Sequence, residues 1–389
     1  MMSAAAATSA ELLTIPLYYN PANSQTSASH LVYSLFPEWT PAKGGRGVKF
    51  IRFTDGITNT LLKCVHNPPP ELSAKQARDY EDENSVLLRA YGNDTSILID
   101  RERECSSHLL LSNYGLAPPL LARFANGLLY RFVAGRVCSV DDLAVPETWK
   151  AVAERLGEWH GVLPTTSTTT DASTPDDPEA NNLWGVLHKW ISALPSATDA
   201  QKTQKEELRR ELAAMEKPRA AGGYGFKGHD GGVGLVTGHC DLLNGNVIIL
   251  PGDGPRKVHL IDYEYATPCE RAFDIANHFA EWGGFACEYE KLPTKSTRRE
   301  FIRVYLQSFH QHRKDGVEEV GDDDVQKLME EVDFFRGIPG FYWGIWALIQ
   351  AQISQIDFDY AQYALVRLGE YHAWKNSTPT FREERWAST

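Results

Sequence analysis

The chain has 389 residues, 42% of them hydrophobic, with 10 Trp, 16 Tyr and 16 Phe; this apolar mass suits one large or two moderate domains and excludes a disordered chain. The formal net charge of −12 at pH 7 argues against general binding to nucleic acid or acidic membranes and would suit a cationic substrate. Six dispersed cysteines (Cys64, Cys105, Cys138, Cys240, Cys269, Cys287) without a Cys-x-x-Cys pair argue against structural zinc or a disulfide framework.

The start, Met1-Met2-Ser3-Ala4, has neither a basic segment nor a long apolar core, and no stretch approaches a membrane span. With the cysteine pattern, this predicts a cytoplasmic protein. Residues 1–46 read as an N-terminal extension. Residues 47–135 read as a first lobe of strands around one helix. Val48–Phe53 and Leu61–Val65 flank the turn Thr54-Asp55-Gly56-Ile57-Thr58-Asn59, and Val86–Tyr91 is a further strand ended by Gly92-Asn93. Asp100 caps a predicted helix running to about Asn113, stopped by Gly115 and Pro118-Pro119. Leu128–Val133 reads as a strand entering a connector at Gly135.

From residue 136 to 371 the patterns are mostly helical. Trp149 to Val162 has helical spacing and leads into a Thr/Ser/Pro/Asp-rich loop from Pro164 to Asn182. A Gly-rich run, Gly222 to Gly234, precedes the strand that carries the principal motif. Helical regions near Arg298–His312 and Phe341–Arg367 close the lobe, and residues 372–389 form a polar tail. The strand-then-helix order predicts an α+β fold with a smaller β-rich N-terminal lobe and a larger, mainly helical C-terminal lobe.

The principal motif is His239-Cys240-Asp241-Leu242-Leu243-Asn244-Gly245-Asn246, followed by Ile261-Asp262-Tyr263-Glu264-Tyr265. Phosphoryl transfer from ATP calls for one carboxylate to take the proton of the attacking hydroxyl, with an amide oxygen and a second carboxylate to hold Mg²⁺. Asp241 is the candidate base, His239 its loop-positioning neighbour, and Asn246 and Asp262 the candidate metal ligands. Val247–Leu250 and Lys257–Ile261 flank the turn Gly252-Asp253-Gly254-Pro255, so a hairpin would return Asp262 to the side of Asp241. His239 taken alone reads equally as a satisfied core histidine.

Arg89 lies on a predicted central strand, where a cation needs a partner; it would grip ATP phosphates and pair with Glu104 on the following helix. The competing reading is an edge-strand Arg facing solvent. The Thr54–Asn59 turn, with Gly56 and Asn59, reads by itself as an ordinary hairpin; in the context of the other motifs it would cover the phosphates. Glu264, Asp274 and Glu281 add carboxylates beyond the metal site, a density that suits an ammonium substrate, although Asp274 reads equally as a support for the motif loop. Trp343 and Trp346, three apart, share a helix face and with Tyr363 offer aromatic rings to a cation; the competing reading is core packing.

These segments resemble the choline/ethanolamine kinases, and most closely their ethanolamine branch. The resemblance runs from about residue 47 to 371. It is carried by Phe53–Asn59, Leu88–Asn93, Gly238–Leu243, Ile261–Ala266, Phe273–Phe279 and Trp343–Gln350. It implies a two-lobed, protein-kinase-like fold that phosphorylates a small amino alcohol with ATP and Mg²⁺, giving phosphoethanolamine for phosphatidylethanolamine synthesis by the CDP-ethanolamine route. It further implies that Arg89 and Glu104 position phosphates and that Tyr265, Glu281, Trp343, Trp346 and Tyr363 line the ammonium pocket. Family members often form homodimers, and that assembly is open here. Four departures stand out: Cys240 for a usual Asn, Ala276 for a usual Gly, Pro268-Cys269-Glu270-Arg271 for a Tyr-rich segment, and Pro339-Gly340 before the Trp helix. Alternatives are a choline or dual-specificity kinase, an aminoglycoside-type kinase, and, more remotely, a non-catalytic binding scaffold.

Overall fold

A computed structural model describes residues 12–53, 59–92, 98–164, 182–220, 235–313, 319–354 and 356–389. The chain divides into two units, residues 1–95 with 117–134, and residues 96–116 with 135–389. The Thr54–Thr58 part of the expected phosphate turn, Gly56 included, lies outside the described residues, as does Asn93. Most of the Thr/Ser-rich and Gly-rich insertions (165–181 and 221–234) lies outside them too.

The first unit is built on six strands: β1 (Leu13–Ile15), β2 (Val48–Phe53), β3 (Asn59–His66), β4 (Ser85–Tyr91), β5 (Leu120–Phe124) and β6 (Gly127–Arg131). Their order is β1-β5-β6-β4-β3-β2. Two helices accompany them, α1 (Ser24–Leu35) and α2 (Ala74–Glu83), the latter started by a capping box between Ser73 and Gln76. The stretch expected to be a mere extension is part of this unit. β1 pairs parallel with β5, and Ile15, Tyr19, Leu31, Val32 and Trp39 share one core with Leu62, Val86, Leu88 and Leu129. A three-residue strand whose partner lies a hundred residues on leaves no local periodicity to read.

Arg89 sits on β4 between β3 and β6 and is 5% exposed, so the solvent-facing edge reading is excluded. Asn59 opens β3 opposite Tyr91.

The second unit begins with α3 (Arg101–Asn113), where Asp100 accepts from the Arg103 amide at 3.1 Å, the expected N-cap. Contacts group this helix with the second unit, not with the strands that precede it in sequence. There follow β7 (Arg136–Val137), α4 (Val140–Leu143), α5 (Pro146–Val162), α6 (Leu183–Ala193) and α7 (Asp199–Ala220). Short strands β8 (Leu235–Gly238), β9 (Val247–Ile249), β10 (Val258–Leu260) and β11 (Thr267–Glu270) carry the principal motif. Then come α8 (Arg271–Ala280), α9 (Lys295–His312), α10 (Asp322–Phe335), α11 (Ile338–Ile353), α12 (Tyr360–Lys375) and α13 (Phe381–Ala387). Among the described residues, no helix is long and apolar enough to cross a membrane.

Two outcomes differ from the polar-tail and departure readings. The tail folds back as α13, with Arg382 and Trp386 buried and Trp386 Nε1 donating to Asp333 Oδ1 at 2.7 Å. Pro339 falls in the first turn of α11, where its fixed φ and missing N–H carry no penalty. Gly340 lets α11 close on α12: a Cβ there would stand 2.6 Å from the Arg367 carbonyl oxygen and 3.1 Å from Glu370 Cβ. Backbone against backbone leaves no flexible side chain to yield.

Gly340→Ala is therefore expected to cost roughly 1–3 kcal/mol of stability through overpacking. Thermal melts provide the check, with Gly369→Ala as control, since nothing lies within 4 Å of a methyl there. A wild-type Tm for Gly340→Ala would refute the close helix approach.

Candidate active site

The motif loop follows β8 and is held from behind by a carboxylate. Asp274, on α8 and fully buried, accepts from the His239 amide through Oδ2 at 2.9 Å and from the Cys240 amide through Oδ1 at 2.7 Å. His160 of α5 donates Nε2–H to the same Oδ2 at 3.0 Å, and His160 Nδ1 lies 2.9 Å from the Tyr305 hydroxyl. Burial would raise the Asp274 carboxyl, but the His160 contact and the charges and amides around it outweigh burial and hold it below the usual range. Asp274 thus supports the loop. Of the two readings open from sequence, this is the one the geometry takes, and the carboxylate is not part of an acidic pocket wall.

The loop backbone is tied down at three further points. Asn277 Nδ2 donates to the Cys240 carbonyl at 3.1 Å, His278 Nδ1 to the Leu242 carbonyl at 2.8 Å, and His239 Nε2 to the Ile261 carbonyl at 3.0 Å. His239 Nδ1 is left to accept from the Asp241 amide at 3.3 Å, which defines a neutral ring. Burial lowers its pKa, in keeping with a neutral ring whose Nε2–H braces the loop. These ties hold Cys240 at φ 61°, a left-handed conformation that costs energy for a residue with a Cβ. Its buried sulfur lies 3.8 Å from that of Cys269 on β11. The two cysteines that replace expected family residues therefore pack against each other.

Asp241 emerges from this frame, with Asn246 Nδ2 donating to its carbonyl at 2.7 Å and to Oδ2 at 3.1 Å. Because the amide nitrogen faces Asp241, Asn246 turns its Oδ1 to the other side. The expected hairpin is present: β9 and β10 pair antiparallel, Leu260 opposite Val247, and the Ile261 amide donates to the Asn246 carbonyl at 2.9 Å. Asp262 follows directly, half-buried, at φ 67°. An amide oxygen and a carboxylate brought together in this way fit a hard divalent cation.

The aromatic segment forms one edge-to-face cluster. Trp343 and Trp346 of α11 stand 5.6 Å apart at 85°, and Tyr265 lies 5.7 Å from Trp343. Trp346 Nε1 donates to the Tyr265 hydroxyl at 2.8 Å, and Trp343 Nε1 to Asn277 Oδ1 at 2.8 Å. Asn277 therefore joins the aromatic cluster to the loop carbonyl just before Asp241. Sequence reading missed it inside a segment it had singled out. It also missed Trp190, 6.1 Å from Tyr265 and perpendicular to it.

Tyr363 is set apart from the two tryptophans, against Phe285 at 5.7 Å and Phe358 at 5.6 Å. Beside it the Arg367 guanidinium donates to Glu281 Oε1 at 2.9 Å, so this pocket carboxylate has an arginine partner that sequence reading did not find. In the same unit Arg101 joins Glu104, at 2.9 Å, to Glu264, at 3.6 Å. Arg89 belongs to the other unit.

Burial first, then the charges of Asp262, Glu281 and Glu264, push the Asp241 carboxyl well above the ordinary carboxylate range, against the hydrogen bond from Asn246. A folded-state pKa raised in this way makes the ionised carboxylate a cost to folding. The cost applies at neutral and higher pH and vanishes once the group is protonated in both states. Asp241→Asn is thus expected to raise Tm near pH ~8, with the gain shrinking toward pH ~5. In kinetics the same variant loses about 10²–10⁴-fold of any turnover that uses Asp241 as base. A lower Tm at every pH would contradict the electrostatic account, and retention of more than roughly a tenth of kcat would contradict the role as base.

Comparison with known proteins agrees with this geometry. Residues 50–372 match the family model described as choline/ethanolamine kinase. An ethanolamine kinase of Drosophila melanogaster is 32% identical over 380 residues, covering 83% of this chain and 68% of the relative. Ethanolamine kinase 1 of Mus musculus is 31% identical over 358 residues, covering 90% and 88%. The solved structure of an ethanolamine kinase from Plasmodium vivax superposes with a TM-score of 0.69 at 25% identity, over 95% of this chain and 93% of that one. The protein-kinase-like α+β fold expected from sequence is thereby borne out. A match across most of the chain, on the residues that build the motif loop, its hairpin and the aromatic helix, makes this protein a kinase of the choline/ethanolamine kinase family, and therefore an enzyme that uses ATP.

Proposed function

We propose that the chain transfers the γ-phosphoryl group of ATP to the hydroxyl of ethanolamine. The product, phosphoethanolamine, enters phosphatidylethanolamine synthesis through the CDP-ethanolamine route. The observation that supports this reading is the braced Asp241, hydrogen-bonded to Asn246, close enough to Asp262 to feel its charge, and joined through Asn277 to the Trp343–Trp346–Tyr265 cluster. Similarity to ethanolamine kinases over most of the chain supports it.

In this reading Asp241 accepts the proton of the substrate hydroxyl as the O–P bond forms, and His239 keeps the loop in register. Asn246 Oδ1 and the Asp262 carboxylate would hold Mg²⁺, which when bound neutralises phosphate charge. Arg89 would hold the phosphates of ATP. Burial of Arg89 on the middle of its sheet supports that role. The ammonium would meet Tyr265, Trp343, Trp346 and Tyr363, with Glu281 as acceptor. Arg367 engages Glu281 Oε1 and leaves Oε2 to a donor. Six free cysteines suit a reducing, cytoplasmic setting.

Dual specificity for choline has one observation in its favour. Glu281 is already partnered by Arg367, so part of its charge is offset before an ammonium arrives. Rings attract either cation. A primary ammonium, however, also brings three N–H donors, and a site with a buried acceptor discriminates against a ligand that has none.

Ethanolamine is accordingly expected to exceed choline in kcat/KM by at least roughly tenfold, with N-methylethanolamine between them. Steady-state assays of purified protein with MgATP and each amine decide the point. Equal values would select the dual reading, and a choline preference would overturn the ethanolamine assignment.

A further inference from the structure

Four buried side chains of alternating charge run from the C-terminal helix to the pocket. Arg367 donates Nη2–H to Glu281 Oε1 at 2.9 Å, and its Nε lies 3.4 Å from Glu370 Oε2. Arg382, on α13, reaches the same Glu370 oxygen with its own Nε at 3.8 Å. Exposures of 3% for Glu281, 1% for Arg367, 5% for Glu370 and 2% for Arg382 take all four out of bulk water, where unscreened charges govern one another's positions.

Arg367 is thus shared between two carboxylates. How firmly it holds Glu281 depends on how strongly Glu370 competes for it. Glu370 has two other attachments. The Tyr289 hydroxyl donates to Oε1 at 2.9 Å, and Arg382 supplies the second cation. Arg382 is itself fixed by donating Nη1–H to Glu383 at 2.6 Å and Nη2–H to the Arg336 carbonyl at 2.8 Å. The helix that carries it is docked by Arg298, which donates to the Trp386 carbonyl at 2.8 Å.

We infer that Arg382 is a positioning residue for the amine site: its charge, 3.8 Å from Glu370 Oε2, offsets the pull of that carboxylate on Arg367 and so leaves Arg367 to hold Glu281 in place for the substrate ammonium. The inference rests on the proposed role of Glu281 in the pocket. Without Arg382, Glu370 draws on Arg367 alone, and Glu281 loses its fixed orientation. The consequence falls on amine binding and not on the nucleotide.

The test measures KM for ethanolamine and for ATP, with Tm as a record of folding, in Arg382→Met, Arg382→Lys, Glu370→Gln, the Glu370→Gln/Arg382→Met double variant and Glu281→Gln. Arg382→Met is expected to raise the ethanolamine KM about threefold to thirtyfold while the ATP KM stays within about twofold. Arg382→Lys, which restores the charge, recovers most of the loss. With Glu370 neutralised there is no competition to relieve, so the double variant matches Glu370→Gln in ethanolamine KM. It also removes both charges together and so guards against misfolding of the single variant. An equal effect of Arg382→Met in both backgrounds, or equal increases in both KM values, would show only a structural strap and overturn the inference. Glu281→Gln separates the two levels: an unchanged ethanolamine KM in that variant refutes the pocket role of Glu281 itself.

Discussion

One buried carboxylate organises the catalytic half of the molecule. Asp274 receives two consecutive backbone amides of the motif loop and one imidazole N–H, all within 3.0 Å. Hydrogen bonds to a charged acceptor contribute about 1.5–3 kcal/mol each, and losing one partner inside a protein leaves the rest unsatisfied. This is enough to hold Cys240 in a left-handed conformation and so to fix the position of the next residue, Asp241. Asn277, one turn further along the same helix, secures the other side of the Cys240 peptide and passes the constraint to Trp343. α8 therefore fixes both the loop that carries Asp241, the proposed base, and the ring of Trp343.

The site pays for this arrangement in like charge. Burial and then the charges of Asp262, Glu281 and Glu264 raise the Asp241 pKa, and each added carboxylate must be compensated to remain ionised. Arg101 answers Glu264, and Arg367 answers Glu281. Bound substrate ammonium and a divalent cation would be the remaining counter-charges. In the proposed reaction their arrival would relieve this like charge, a driving force for capturing a small cation.

The parts legible in the sequence are those whose signal is local. The Gly252–Pro255 turn between two apolar runs announced the hairpin, and Asp100 announced the start of α3. The five-residue spacing of Asp241 and Asn246 matches the hydrogen bond that joins them. What escaped reading depends on pairing across long separations. Glu281 and Arg367 are 86 positions apart, so an acidic residue next to the pocket looked like a free acceptor. The last eighteen residues looked like a polar tail because the buried members of their closing helix, Arg382 and Trp386, are polar or amphipathic and find their partners on α10, α12 and α9. β1 has no alternation to show in three residues, and its register comes from β5 alone. Asp274 was visible as a residue, but its two amide partners could not be inferred from spacing.

The most direct measurement is steady-state kinetics of Asp274→Asn, with near-ultraviolet circular dichroism to establish folding. Asparagine offers one acceptor oxygen where three N–H donors converge, and it turns an amide N–H₂ toward at least one of them. Displacing a base by about 1 Å is enough to lose on the order of 10²-fold in kcat. The account predicts a loss of that size in a folded protein, with the ATP KM changed by less than about threefold. A folded Asp274→Asn enzyme with wild-type kcat would contradict the claim that this carboxylate positions the catalytic loop.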